Sequence, residues 1–286
     1  MGDDEKKAED LRVSRGCLSG LLALQRANLL LPENNGDEEL CESWPSDKVH
    51  FDQDCHVTYL NLGNKRLRKG LDNIDEIFSS FPRLANLNLG GTDLPLSQLR
   101  EVLDRVGGSL EAVFLGGNGY RNEICSVLAE WIQSTARIGR LIKLDLRYND
   151  IESSGLSELC QYLSSVKYLY LEGNRLDDLE DLAEFLKTPD ANLQELYLGA
   201  NNVGSNGAFQ LASCLSTNKK LVKIYLEGNS IGAKGADSFS EALESMEGKA
   251  SLQHLFVDNN GIGKESSQRL AKALNSATTI GESLFE

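Results

Sequence analysis

A chain of 286 residues with 41% hydrophobic and 7% aromatic content can fold as one elongated domain or two compact ones. Its formal charge of −14 argues against a nucleic-acid binder or a protein held on anionic membranes, because both need cations to meet phosphates. The acidic excess favours solubility and basic partners.

Residues 1–10, MGDDEKKAED, are acidic and expected to be disordered. No apolar run follows a basic start, so they do not read as a secretion signal, and Lys6 breaks the myristoylation pattern. No apolar stretch approaches the roughly 20 residues of a membrane helix. A cytoplasmic or nuclear protein is expected. Residues 11–31, LRVSRGCLSGLLALQRANLLL, predict a helix ended by Pro32, and the acidic residues 33–54 predict a loop or a second layer. Together 11–56 form the expected N-terminal cap.

From Val57 onward one pattern returns eight times, starting at Val57, Leu84, Leu110, Leu141, Val166, Leu193, Leu221 and Leu252. Positions one, four and six are apolar, as in Leu193, Leu196 and Leu198, which predicts a short strand with one buried face. Position nine is Asn118, Asn149, Asn174, Asn201, Asn229 and Asn260 in the last six registers, and Lys65 and Thr92 in the first two. An amide carrying both donor and acceptor can satisfy backbone groups where the chain leaves the strand, so these residues are predicted to form a structural ladder. A turn and an amphipathic stretch such as AFQLASCL complete each unit. One unit cannot bury its apolar face alone; stacked units share a core.

The pattern LxxLxLxxN-x-(I/L/V)-GxxG-xxxLxxxL, at 193–215 and 221–243, resembles the leucine-rich repeats of the ribonuclease-inhibitor-like class. The resemblance covers about residues 57–280 and implies an α/β solenoid. In that horseshoe of about eight repeats, parallel strands line the concave face and helices the convex one. The repeat domain is expected to run over 57–286, with SSQRLAKALNSATTIGESLF as a closing helix. Cys41, Trp44 and Cys55 before the first strand resemble the cysteine-paired caps of secreted plant-type repeats, which would imply a Cys41–Cys55 bridge; without a secretion signal, reduced thiols are the other reading. Cys160 and Cys214 sit at helical spacing and read as small buried hydrophobes.

Nothing catalytic stands out. His50, His56 and His254 have no metal-ligand spacing, and GIGKESS at 261–267 places Glu265 where a phosphate loop needs Ser or Thr. No cofactor or metal is expected. The informative residues lie between the buried leucines, because strand alternation sends positions three and five to the open side. Position five reads Asn61, Asn88, Phe114, Asp145, Tyr170, Tyr197, Tyr225 and Phe256, ending in an unbroken aromatic row. Position three adds Tyr59, Lys143, Tyr168, Glu195 and Lys223, and position seven Arg147, Glu172, Glu227 and Asp258. Aromatic residues flanked by charge are the composition of a protein-binding patch, although rings on adjacent strands could also stack on one another. Facing water, these rings are expected to be dispensable for stability.

The function expected is a non-enzymatic scaffold that binds a protein partner through this concave surface. The alternative, implied by resemblance to the Ran GTPase-activating family, is activation of a Ran-like small GTPase. That family's acidic tail and functional-residue motif are not matched, leaving Arg66 and Arg68 as the first residues to test. Inhibition of a basic enzyme is a third reading. The partner and the oligomeric state stay open.

Overall fold

Short strands recur because each register supplies one triplet whose middle residue is buried and whose flanks are not. In the computed structural model, which describes residues 13–30, 44–106, 108–134, 140–246 and 250–278, all eight registers place a strand at positions three to five. The chain divides into two compact units, Met1–Phe114 and Leu115–Glu286.

In the first unit, helix α1 (Arg15–Arg26) starts at Ser14, whose side chain accepts from the amide of Cys17 at 3.4 Å, and buries Cys17, Leu21 and Leu24. Strand β1 (Val49–Phe51) runs antiparallel to β2 (Val57–Asn61), with Val49 opposite Leu60 and His50 opposite Tyr59. The expected loop at 33–54 therefore contains a strand. Tyr59, expected to be open, stacks on His50 with ring centroids 4.4 Å apart. Helix α2 (Ile74–Phe78), β3 (Asn86–Asn88), α3 (Leu96–Val106) and β4 (Ala112–Phe114) follow, and β2, β3 and β4 are parallel. Trp44 and Cys55 are buried and the Cys55 thiol is free. Cys41 and residues 1–10 lie outside the described residues.

A charge cluster ties β1 to the loop before β3. Arg83 donates to Asp52 and Asp54, both at 2.8 Å. Burial pushes the Asp52 carboxyl up, but the amides of His56 and Asp54 and the Arg83 guanidinium outweigh it and hold its pKa at about 2. Because the folded value lies below the ordinary 3.8, the stabilisation is full above about pH 4 and lost as pH falls toward 2. Urea midpoints of wild type and Asp52→Asn should therefore differ at neutral pH and converge in acid.

The second unit repeats strand and helix in order: α4 (Glu123–Ser134), β5 (Lys143–Asp145), α5 (Ser153–Cys160), β6 (Tyr168–Tyr170) and α6 (Glu180–Lys187), then β7 (Glu195–Tyr197), α7 (Ser205–Ser213), β8 (Lys223–Tyr225), α8 (Gly232–Glu244), β9 (His254–Phe256) and α9 (Lys264–Thr278). The five strands pair in parallel without offset, so Leu144, Leu169, Leu196, Ile224 and Leu255 form one line. The first four are fully buried; Leu255, on the last strand, is only half-buried.

The asparagines sit where the chain turns inward after each strand. Asn149, Asn174, Asn201, Asn229 and Asn260 each donate to the position-six carbonyl of their own register and of the one before, as Asn201 does to Leu198 and Leu171 at 3.0 and 2.9 Å. Their Oδ1 atoms accept amides from the preceding turn, as Asn229 does from Val203 at 2.9 Å. Asn118 opens the series with a bond to Leu115 O. In the first unit Thr92 makes the equivalent bond to Leu89 O at 2.7 Å. Cys125, Cys160 and Cys214 are packed among the helices, and burial first of all pushes each thiol up to about 12, so they are protonated and unreactive.

Candidate partner-binding face

Apart from Phe114, which ends the first unit, the position-five residues divide into two kinds by what their side chains can reach. Asn61, Asn88 and Asp145 are short and fold back, each accepting the amide two residues on, at 2.9 to 3.0 Å. Tyr170, Tyr197, Tyr225 and Phe256 cannot do this and project from the strand. Because the strands are in register, their rings fall directly beside one another. The centroids of successive rings are 4.4, 4.2 and 4.5 Å apart, with interplanar angles of 20°, 6° and 9°. The sheet spacing of about 4.8 Å thus becomes a ring stack. Each tyrosine is half-buried by its neighbours, and Phe256 is 36% exposed.

Charged groups frame the stack. Arg147 lies over Tyr170, 5.5 Å from its centroid, and is held there by Asp145 through Nε–Oδ1 and Nη2–Oδ2 bonds of 3.0 and 2.7 Å. Asp145 was expected on the open side with the other position-five residues; it is 4% exposed, because its short side chain lies under Arg147. That pairing, before burial is counted against it, raises the Arg147 pKa. On the position-three side Lys143 lies 5.1 Å over Tyr168, and Lys223 pairs with Glu195 at 2.9 Å. The Tyr197 hydroxyl donates to Glu195 Oε2 at 2.5 Å. Burial and then this bond push the Tyr197 hydroxyl up, so it stays protonated. Burial would raise Glu195, but Tyr197 and Lys223 together lower it.

On the position-seven side stand Glu172, Glu227 and the exposed Asp258. Burial raises the Glu172 carboxyl most, and its Oε2 is buried without a hydrogen-bond partner. Tyr148, at position eight, escaped the sequence reading although it is 62% exposed. The aligned registers carried the signal, since no other register has a ring there.

Arg66, Arg68 and Lys69 are exposed in the loop after β2 of the first unit. Among the described residues one set of metal-type ligands converges, Asp52, Asp54 and His56 within 4.8 Å. Arg83 already bridges the two carboxylates, so a cation there would have to displace a guanidinium. No helix of the described residues is long and apolar enough to cross a membrane.

The family model described as "Leucine Rich repeat" matches residues 141–160, which hold β5, Asn149 and α5. The chain is a leucine-rich-repeat protein. The match names the repeat without the ribonuclease-inhibitor-like subclass. This repeat protein is 26% identical over 211 residues to "NACHT, LRR and PYD domains-containing protein 3" of Bos taurus, covering 70% of this chain and 20% of that one. It is 28% identical to protein 12 of the same series from Mus musculus, over 96% of this chain and 25% of that one. To "Capping protein, Arp2/3 and myosin-I linker protein 3" of Mus musculus it is 30% identical, over 79% of this chain and 17% of that one. It therefore spans no more than a quarter of these relatives. None of the three is named as a GTPase activator. Among solved structures it is similar to internalin C2 of Listeria monocytogenes, with 22% identity and a TM-score of 0.47 over 76% of each chain. LegL7 of Legionella pneumophila gives 19% and 0.46 over 79% of this chain and 83% of that one.

Proposed function

We propose that this repeat protein is a non-enzymatic interaction scaffold that holds a protein partner on the strand face of its second unit. Tyr168, Tyr170, Tyr197, Tyr225 and Phe256 give the apolar surface. Arg147, Glu172, Glu195, Lys223, Glu227 and Asp258 give the charged border. The observation that carries the reading is the four-ring stack. Its rings are already packed on one another at 4.2 to 4.5 Å, so little side-chain entropy is lost when a partner covers them. Tyrosine also offers large contact area with few rotatable bonds, which is why it is enriched among binding hot spots.

The test is capture and titration of partners with wild type, Tyr170→Ala/Tyr197→Ala/Tyr225→Ala, and the corresponding triple Phe variant. At about 2 kcal/mol for one hot spot, the triple Ala variant should lose at least about 30-fold in affinity. The triple Phe variant keeps the stack and should lose far less. A partner that binds wild type and the folded triple Ala variant equally well would refute the reading.

A further inference from the structure

Position eight is in the left-handed backbone region in every register, with φ of 60°, 63°, 72°, 52°, 68°, 52°, 68° and 57° at Asn64, Gly91, Gly117, Tyr148, Gly173, Ala200, Gly228 and Asn259. Glycine and asparagine occupy that region readily; a bulky residue there is an outlier. Tyr148 is the bulky one, and its exposed ring gains little burial to offset the strain. The ring fills the space beside Gly173, where a Cβ would fall 2.1 Å from its Cδ1. The next register therefore leaves this ring its place.

Beside Tyr148 the border of the ring stack is acidic. The nearby cations are engaged: Arg147 by Asp145, Lys223 by Glu195, and Lys143 over Tyr168. Glu172 and Glu227, two registers apart, lean together over Gly199. A Cβ at Gly199 would lie 3.6 Å from Glu172 Cγ and 3.8 Å from Glu227 Oε2. Neither carboxylate has a salt bridge among the described residues; burial raises the Glu172 pKa, its own backbone amide and Arg147 draw it back, and Asp145 and then Glu227 add to the rise. Arg147 attracts Glu172 from its pairing with Asp145 but gives the Glu172 Oε2 no hydrogen bond, so two converging carboxylates with one buried orphan oxygen are complementary to a further cation.

We propose that the segment of the partner lying on the ring stack is basic, and that one of its arginine or lysine side chains enters between Glu172 and Glu227 against the Tyr148 ring. The cation gives the buried Glu172 oxygen a donor and removes the repulsion between the two acids. The face of Tyr148 adds a cation–π contact. This assignment rests on the strand face being the partner-binding surface, and it fixes the chemistry of what that surface takes.

The test uses fluorescein-labelled peptides alternating arginine with glycine or glutamate with glycine, titrated by anisotropy at near-physiological salt. Wild type should bind the arginine peptide and not the glutamate peptide. Glu172→Gln/Glu227→Gln should bind the arginine peptide at least about 10-fold more weakly, as expected for loss of a desolvated charge pair. Glu180→Gln/Glu241→Gln, which removes the same charge from the exposed helix side, should bind like wild type. Tyr148→Asn should also lose affinity while melting no earlier than wild type, because asparagine accepts that backbone. The inference is overturned if wild type fails to bind the arginine peptide. Equal losses in the two Gln pairs would overturn it as well, reducing the effect to net charge. So would a Tyr148→Asn protein that melts earlier yet binds normally, which would make the ring structural. If the ring-stack triple Ala variant loses the peptide while the Glu172/Glu227 pair does not matter, the partner face stands and the cation slot falls. The opposite pattern removes the ring stack from binding and contradicts both readings.

Discussion

Replacing Asn174 by alanine is expected to lower the stability of the second unit by about 4 kcal/mol. Asn174 is 6% exposed and sits in the middle of the ladder. Its Nδ2 donates to Leu146 O and Leu171 O at 3.0 and 2.8 Å; its Oδ1 accepts from the amides of Asn149 and Ile151 at 3.1 and 3.0 Å. Alanine leaves these four backbone groups in the interior without that partner. An orphaned buried group costs about 1–3 kcal/mol, and local relaxation lowers the sum below simple addition. Stability in a solenoid also depends on the interface between neighbours, and Asn174 bonds to two registers. Asn118→Ala should cost clearly less, since Asn118 is only half-buried. Urea denaturation with an unchanged slope would read both. A loss below about 1 kcal/mol at Asn174 would mean that water or a shifted loop takes over the four bonds.

The ladder and the strand face could be read from the chain because both depend on spacing alone. A strand sends alternate residues to opposite faces, so Leu196 and Leu198 fix where Tyr197 must point. What spacing does not convey is what the neighbours do with the exposed positions. Asp145 shares position five with Tyr170, yet one folds under Arg147 and the other stacks outward, and the difference lies in side-chain length. Strand β1 was hidden because Val49–Phe51 has only three residues and its pairing with β2 is made across a turn, outside the repeat. Tyr148 was hidden because position eight lies past the strand, where alternation says nothing, and its signal is only that the other seven registers carry a small residue or asparagine there. The two acids over Gly199 were legible as types but not as a converging pair.

Tyr197→Ala is expected to lower stability by about 2–3 kcal/mol, against the expectation that rings facing water can be removed freely. The ring is held between Tyr170 and Tyr225 at 4.4 and 4.2 Å, so truncation removes two aromatic contacts at once. Each is worth about 0.5–1.5 kcal/mol beyond area, and the half-buried ring adds a transfer contribution of about 1 kcal/mol. The hydroxyl bond to Glu195 is separable, because Tyr197→Phe keeps both contacts and should cost under about 1 kcal/mol. The stack predicts a pattern beyond these sizes. Tyr197→Ala and Tyr225→Ala should be less than additive by about 1 kcal/mol, since they share one contact. Tyr170→Ala and Phe256→Ala, at opposite ends with no shared ring, should add. Additivity for the adjacent pair would show that the rings merely sit side by side, and that their rigidity comes from the strands beneath them.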